Sequence, residues 1–591
     1  MRVAVVTESF LPQVNGVTNT VRQVVDHLRR TGHEAIIVAP GPGPASYDGV
    51  PVVRVRSVGL PTYRSFPIGL PDAAVHRALV DFDPDVVHLA SPIALGAVGL
   101  RAARRLGVPT VAVYQTDVAG FARHYRVRAD LLAGAWVGRL HRRVDRTLVP
   151  STSSYRQLAA LGVGDLHLWR RGVSLDLFGP ARRSAALHER WAPGGETLVG
   201  YVGRLAPEKQ VRRLVEVSRL PGVRVVVVGD GPERESLERR MPDAVFTGML
   251  GGADLARAFA TLDVFVHPGE SETFCQTVQE AQASGVPVVA VAAGGPLDLV
   301  EHGRTGLLYD PRAEGALAQQ VARLVADPVL RHELADRAAR EVAQKVGLEP
   351  VFRSQVRTRV EGLDVLDRVD GPVIFVANHA SHLDTPLLLL SLPDEWRRRT
   401  AVAAAADYFF DTWWRAVGSS LLFNTFPIDR RGGSMSATPG EVLADGWSLV
   451  IFPEGTRSGD GWMHTFRMGA AYLSHTHDVP IVPVAHRGTF AAMPRGAGWP
   501  GRDAGGRRQL TVRFGEPLRA RGGESVRDYA PRVREAVAAL LDEDSSTWWE
   551  AQRRRATGST PDPGGPDVAT WRRVWAQTES PAADPPTGPR R

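Results

Sequence analysis

Short apolar runs alternate with amphipathic helical patterns from the third residue of this chain onward. RVAVV is followed by a helical pattern through VTNTVRQVVDHLRR, and then come EAIIVAP, VVRVR, DVVHLAS and PTVAVY. Runs that are apolar throughout, separated by amphipathic helices, predict a parallel sheet covered on both faces. The rhythm restarts after residue 195 with TLVGYVG, VRVVVVG, DVFVHP and VPVVAVA. The first part therefore reads as two Rossmann-like domains in tandem, 1–180 and 181–362, with a cleft between them. Ligands of such sheets bind beyond the carboxyl ends of the strands.

After a helical stretch to about residue 362, a new unit begins with GPVIFVAN and continues through SLVIFPEG, VPIVPVAH and LTVRFGEP. Its irregular spacing predicts a separate third α/β domain over 363–545. Residues 546–591 are rich in Pro, Gly and charge and predict a mostly flexible tail. Within it Trp571 and Trp575, four residues apart, would dock a short helix.

The length of 591 residues suits several domains, and 43% hydrophobic with 23% charged residues excludes wholesale disorder. Cys275 is the only cysteine, which excludes an internal disulfide and a cysteine-rich zinc site and fits a reducing compartment. The opening MRVAVVTESF is too short an apolar run for a signal peptide, so nothing there directs export. No apolar stretch reaches the roughly 18–25 residues of a spanning helix. The best candidate, 401–428, is interrupted by Asp407, Asp411 and Arg415. It reads either as a buried helix pair or as an interfacial segment presenting Tyr408, Phe409, Phe410, Trp413 and Trp414 at headgroup level. A net charge of +7 favours anionic partners in general. Arginine supplies nearly all of it, since Lys209 and Lys345 are the only lysines.

The first chemical constellation lies at predicted strand ends. LPQVNGVTN joins the first strand to its helix and puts Asn15 and Gly16 where a backbone turns sharply or approaches a phosphate. GRLAPEK places Arg204 and Lys209 where two cations could neutralise a diphosphate; the plain alternative is a solvated helix start. In ESETFCQTVQEAQ, Glu272 precedes a helix and Glu280 follows two turns later, about 12 Å along it at helical rise. Carboxylates there suit hydroxyls of a sugar and of a ribose, and a plain solvated face is the alternative.

Together VTESFLPQVNGVTNTV, VYQTDVAGFA, GRLAPEK, VGDGPE and ETFCQTVQE resemble the retaining glycosyltransferases of the two-Rossmann-domain (GT-B) architecture over roughly residues 1–350. They look like the bacterial GDP-mannose-dependent α-mannosyltransferases acting on lipid acceptors. The resemblance implies that Arg204 and Lys209 stabilise the departing nucleoside diphosphate, Glu280 holds the ribose, Glu272 touches the transferred sugar and Gly16 lines the phosphate loop. The expected donor is GDP-mannose or another nucleotide sugar. Many relatives carry a histidine where this chain has Gln115, so Gln115, Asp117 and His124 are the acceptor-side candidates; a surface histidine is the alternative for His124. Asp81, Asp83 and Asp85 imitate a metal-binding Asp-x-Asp signature but sit in a helix-to-strand turn, and no metal is assigned.

The second constellation is NHASHLD, where His379 and Asp384 flank a strand-to-helix turn with His382 between them. Such spacing lets a carboxylate orient an imidazole that takes a proton from an attacking hydroxyl. With FPEGTRS at 452–458, PIDRR near 430 and VPIVPV from 479, the order of blocks resembles the 1-acylglycerol-3-phosphate acyltransferase superfamily over about 366–545. The resemblance implies His379 as general base, Asp384 as its orienter, and Arg430, Glu454, Gly455 and Arg457 around the acceptor, with acyl-CoA as donor. Pro427 departs from the aromatic or aliphatic residue often found there.

RADLLAGAWVGRLHRRVDR carries an apolar stripe of Leu132, Trp136, Leu140 and Val144, which either lies on an anionic membrane or packs on its own domain's core. The reading is a bifunctional glycolipid-synthesis enzyme held peripherally at the cytoplasmic face of the membrane, with no bound cofactor. Its rivals are a single-activity enzyme whose other domain is a lipid-binding platform, and a nucleic-acid-binding protein, for which no reading motif is present.

Overall fold

The computed structural model describes every residue except 14, 61–62, 71, 117–129, 170, 406–424, 429–438, 504–505 and 579–591. It divides into two compact units, Met1–Val342 and Ala343–Arg591.

The first unit holds two sheets. Strands β1 (Arg2–Thr7), β2 (Glu34–Pro40), β3 (Ser46–Tyr47) and β4 (Val50–Val55) are followed by a separate hairpin, β5 (Ser57–Leu60) and β6 (Tyr63–Gly69). Then come β7 (Val86–Ala90), β8 (Thr110–Val113), β9 (Arg146–Val149) and β10 (Leu166–Leu168). The sheet runs β10-β9-β8-β7-β1-β2-β4-β3 and is parallel except at β3–β4. β1 buries everything from Val3 to Thr7, as an unalternating run of branched residues should when helices cover both faces.

The second sheet contains β11 (Thr197–Val202), β12 (Val223–Val228), β13 (Val245–Gly248), β14 (Val264–His267), β15 (Val288–Val291) and β16 (Leu307–Tyr309). Its order, β13-β12-β11-β14-β15-β16, is entirely parallel and reverses direction of growth between β11 and β14. The corresponding reversal in the first sheet lies between β1 and β7. Crevices open at such reversals, so the residues that follow β1, β11 and β14 are the ones the topology offers to a ligand. The tandem Rossmann reading of the sequence is what the first unit contains.

The second unit is built on β17 (Val356–Glu361), β18 (Ile374–Ala377), β19 (Thr400–Ala405), β20 (Thr425–Ile428), β21 (Ser448–Ile451), β22 (Ile481–Arg487), β23 (Arg502–Asp503) and β24 (Gly506–Phe514). The order is β17-β24-β22-β18-β21-β19-β20, with β23 folded back on β24. Apolar cores cover both faces, one around Phe375, Leu387 and Phe514 and the other around Ile374, Ile481 and Tyr529. The boundary drawn at 362 from the sequence falls too late: β17 pairs with β24 from Val356 onward and belongs to this sheet. The division lies between Val342 and Ala343.

Within the segment read as mostly tail, Trp548–Ala556 and Thr570–Thr578 are helices, and 579–591 lie outside the described residues. Trp571 and Trp575 are 65% and 60% exposed, so the short helix is not docked by that pair. The stripe on the helix Asp130–His141 also divides: Leu140 is buried and Leu132 is exposed, while the half-exposed Trp136 donates its indole N–H to the Ile93 carbonyl at 2.9 Å. The aromatic segment with Tyr408, Phe409, Phe410, Trp413 and Trp414 lies outside the described residues. Among the described residues no helix is long and apolar enough to cross a membrane.

Two candidate active sites

Gly16 opens the helix Gly16–Arg30 beyond β1, and Asn15 caps it: its side-chain oxygen accepts from the amides of Val17 and Thr18 at 3.0 Å. Those two donors are therefore occupied by the protein itself, and the open feature of the turn is Gly16. A Cβ added there would lie 3.5 Å from a guanidinium nitrogen of Arg171. Arg171 in turn donates to Gln115 Oε1 at 2.6 Å. The structure thus brings Gly16, Gln115 and Arg171 together beyond the carboxyl ends of β1 and β8. Burial pushes the Arg171 guanidinium down to about 10, against the opposing pull of Glu272.

The opposite wall comes from the second sheet. β11 runs into Gly203 and Arg204, whose carbonyl accepts from the buried Tyr201 hydroxyl at 3.0 Å and whose guanidinium pairs with Glu208. Lys209 ends the 3-10 turn Pro207–Lys209 and pairs with Glu272, which arrives from the loop after β14. Burial works against the Lys209 ammonium, but the Glu272 carboxylate outweighs it and holds the lysine above its ordinary pKa. Burial likewise opposes the Glu272 carboxylate, and Lys209, by charge and by hydrogen bond, with Arg171 behind it, holds it below its ordinary value. His267 Nε2 lies 3.5 Å from Glu272, and burial drives that imidazole down to about 4, so it is neutral at physiological pH.

Glu280 sits on the helix Gln276–Ala283, but Glu272 does not, because Cys275 adopts φ +77° and breaks the backbone ahead of it. The helical spacing of about 12 Å is therefore not the relation between these carboxylates. Burial pushes the Glu280 carboxyl up to about 8, offset in part by a hydrogen bond from Gln276. The helix start has no side-chain cap. Thr273 Oγ1 donates to the Gln115 carbonyl at 2.9 Å and the Thr273 carbonyl accepts from Ser154, which ties the two walls together. A polar cavity of about 320 Å³ lies at this junction, lined by Ser153, Ser154, Glu270, Glu272, Thr273 and Gly294 among others. Gly294 has φ +62°, and a Cβ there would stand 2.6 Å from the Glu272 carbonyl oxygen, so only glycine fits under that loop.

Asp117 and His124 lie outside the described residues. Of the Asp81–Asp85 cluster, Asp83 is the left-handed C-cap of the helix Ala73–Phe82, and Asp85 accepts from the Arg2 amide at 2.7 Å. Both have local structural tasks. Sequence reasoning missed Arg171, Glu208 and His267. RRGV offered only a doubled arginine in an arginine-rich chain, and His267 ends a strand that was read for its apolar pattern alone.

In the second unit β18 ends at Ala377, and the turn after it places His379 Nδ1 2.9 Å from Asp384 Oδ2. The same oxygen accepts from the amides of Ala380 at 2.7 Å and Ser381 at 2.8 Å, so the carboxylate folds the turn and orients the ring at once. Asp384 is completely buried; burial raises its pKa, and the hydrogen bond with His379, together with the surrounding histidines, more than reverses this. His379 stacks on Phe452, with centroids 4.1 Å apart. Nδ1 is engaged by Asp384, which leaves Nε2 as the nitrogen available to take a proton.

Glu454, expected at the acceptor, acts here as a brace: Oε1 accepts from the His379 amide at 2.7 Å and Oε2 from the His464 amide at 2.9 Å. Burial pushes its carboxyl up to about 7 against those two bonds. Gly455 turns the chain at φ +75°, beside Arg467. His382 is driven down to about 4 by burial, with the Arg457 charge adding to it, so it stays neutral beside the dyad. Arg430 lies outside the described residues. Among the described residues no cluster of three or more His, Cys, Asp or Glu could hold a metal ion.

Residues 14–177 match the family model Glycosyltransferase Family 4, residues 185–341 match Glycosyl transferases group 1, and residues 357–487 match Acyltransferase. A GDP-mannose-dependent alpha-mannosyltransferase of Mycolicibacterium smegmatis is 56% identical over 335 residues, covering 55% of this chain and 89% of that protein. The sulfoquinovosyl transferase of Arabidopsis thaliana is 36% identical over 361 residues, covering 58% of this chain and 70% of that one. A solved sucrose-phosphate synthase from Thermosynechococcus elongatus superposes with a TM-score of 0.50 at 20% identity over 59% of this chain and 96% of its own, a likeness of fold alone.

Proposed function

The chain belongs to the GT-B glycosyltransferase family of the GDP-mannose-dependent α-mannosyltransferases and carries an acyltransferase domain behind it, and on that premise we propose one polypeptide with two activities. The first unit transfers mannose from GDP-mannose, with retention, to a lipid acceptor. The second transfers a fatty acyl group from acyl-CoA to a hydroxyl of a glycerophospholipid or glycolipid.

The observation that carries the first half is the convergence of Arg204, Lys209 and Arg171 with Glu272 at the strand-order reversals. In an oxocarbenium-like transition state the charge that grows is on the departing diphosphate, and preset cations stabilise it without reorganising. Glu272 holds Lys209 in place and presents its remaining lone pairs to sugar hydroxyls. Glu280 accepts from the ribose diol, Gly16 leaves room for phosphate, and Gln115, Asp117 and His124 serve the acceptor side. The second half rests on the His379–Asp384 pair. His379 Nε2 removes the proton from the acceptor hydroxyl as its oxygen attacks the thioester carbonyl, Asp384 stabilises the imidazolium, and CoA thiolate leaves. Arg430 and Arg457 bind a phosphate of the acceptor.

The protein works peripherally on the anionic inner face of the cell membrane. To test the reading, purified protein is given a panel of nucleotide sugars and acyl-CoAs with membrane lipids, and the products are identified by mass spectrometry. Mannosylated lipid from GDP-mannose alone, together with CoA release that needs His379, is the expected result. Transfer from UDP-sugars instead would replace the donor assignment.

A further inference from the structure

We propose that the C-terminal segment 558–578 is a strap that positions the acyltransferase centre, with Arg573 acting through Asp460 on the loop that holds the His379 peptide. The proposal rests on the acyltransferase reading above, and the strap lies beyond residues 357–487 that match the family model.

The connection can be followed bond by bond. Arg573 Nε donates to Asp460 Oδ2 at 2.7 Å, while another nitrogen of the same guanidinium donates to the Gly564 carbonyl at 2.7 Å. Asp460 Oδ1 accepts from the Ser458 hydroxyl at 2.9 Å and from the Trp462 amide at 3.2 Å. The Ser458 amide donates to the His379 carbonyl at 2.8 Å. Four residues earlier Glu454 accepts from the His379 amide, and its second oxygen accepts from His464. The loop 454–464 thus grips the His379 peptide at both its N–H and its C=O, and the strap holds that loop at its centre.

Further contacts seat the strap itself. Trp462 Nε1 donates to the Arg573 carbonyl at 3.2 Å, and the Met463 amide donates to the Pro563 carbonyl at 3.1 Å. A Cβ on Gly565, which has φ +81°, would stand 2.4 Å from the Trp462 ring, so the segment passes directly against that indole. Asp460 and Arg573 keep only 14% and 22% of their side-chain exposure, which shields the pair from solvent. A planar guanidinium meeting one carboxylate and two carbonyls, those of Gly564 and Pro566, is a directional clamp that an ammonium reproduces only in part. A general base must keep its nitrogen within hydrogen-bond reach of the acceptor hydroxyl, and displacements near 1 Å are costly in rate.

The test compares full-length wild type with Arg573→Gln and Arg573→Lys. Amide hydrogen exchange followed by mass spectrometry, with no substrate present, should show 378–382 and 454–464 exchanging about tenfold faster or more in Arg573→Gln, with 374–377 and 481–487 unchanged. In steady-state acyl transfer kcat should fall about tenfold or more while the acyl-donor KM stays within about twofold, and Arg573→Lys should recover part of the loss. Asp460→Asn, which weakens the same contact from the loop side, should reproduce the pattern if Arg573→Gln folds poorly. Unchanged exchange at 378–382, a uniform rise across the whole sheet, or a KM effect at constant kcat would each overturn the proposal. Should wild type consume no acyl thioester, the acyltransferase reading fails, and the exchange pattern by itself still decides whether the strap holds the turn.

Discussion

Replacing Asp384 by asparagine separates the two tasks that this carboxylate performs. One oxygen receives three donors: the His379 ring at 2.9 Å and the amides of Ala380 and Ser381 at 2.7 and 2.8 Å. In Asp384→Asn the amide oxygen takes that position and keeps both backbone bonds, so the turn survives. The amide –NH2 then faces His486, whose Nδ1 lies 3.9 Å from the other carboxylate oxygen. What disappears is the negative charge beside the imidazole that becomes imidazolium in the proposed mechanism. A hydrogen bond to a charged group contributes about 1.5–3 kcal/mol net. At about 1.4 kcal/mol per tenfold in rate, acyl transfer should fall by about 10- to 100-fold, and by up to about 10⁴ where the wrong ring tautomer is also favoured. Asp384→Ala instead orphans two buried amides at about 1–3 kcal/mol each and should destabilise the unit by about 2–6 kcal/mol. The folded-state pKa of Asp384 is depressed, so its contribution to stability is present above the ordinary 3.8 and is lost as pH falls through the folded value. CoA release followed with a thiol reagent, paired with thermal melts, distinguishes the variants. Asparagine turnover within about twofold of wild type, with an unchanged pH profile, would refute the dyad.

Three other outcomes are expected. Lys209→Met should lower sugar transfer by about 10²- to 10³-fold, leave acyl transfer intact, and cost about 3–5 kcal/mol by stranding Glu272; adding Glu272→Gln should restore part of the melting temperature but none of the activity. Glu280 titrates near 8, so its protonated form is favoured by folding, fully below the ordinary 4.5 and progressively less as pH rises through about 8; donor binding to the carboxylate should therefore strengthen about tenfold between pH 7 and 9, and a Glu280→Gln variant should show no such slope in KM. Gly294→Ala forces a Cβ against the Glu272 and Glu270 carbonyls and should lower stability by about 1–3 kcal/mol while raising the donor KM, which melts and initial rates will check.

Features carried by local spacing were readable from the sequence, and features carried by tertiary pairing were not. The valine runs of β1 and β12 announce buried parallel strands because nothing in them alternates. The His379–Asp384 pair is visible because five positions of chain close the turn. β17 falls inside the stretch that reads as helical because VRTRVE exposes Arg357 and Arg359 at the outer edge of its sheet, where charge discourages further strand pairing and hides the apolar signal. Lys209 and Glu272 meet across 63 positions because β14 pairs with β11, an adjacency that only strand order creates. The strap reads as tail from its sequence because its anchorage is one guanidinium, a few main-chain hydrogen bonds and a glycine against Trp462, none of which alters composition.

The scarcity of lysine gives each unit a built-in reporter. Met1 aside, an amine-directed reagent finds two targets in the whole chain. Lys209 is locked to Glu272 within the first unit, and Lys345 lies 3.5 Å from Asp394 within the second. A mass-spectrometric footprint of primary amines therefore yields a two-peptide readout: protection at one position tracks events in the first unit and protection at the other tracks the second, with no engineered label.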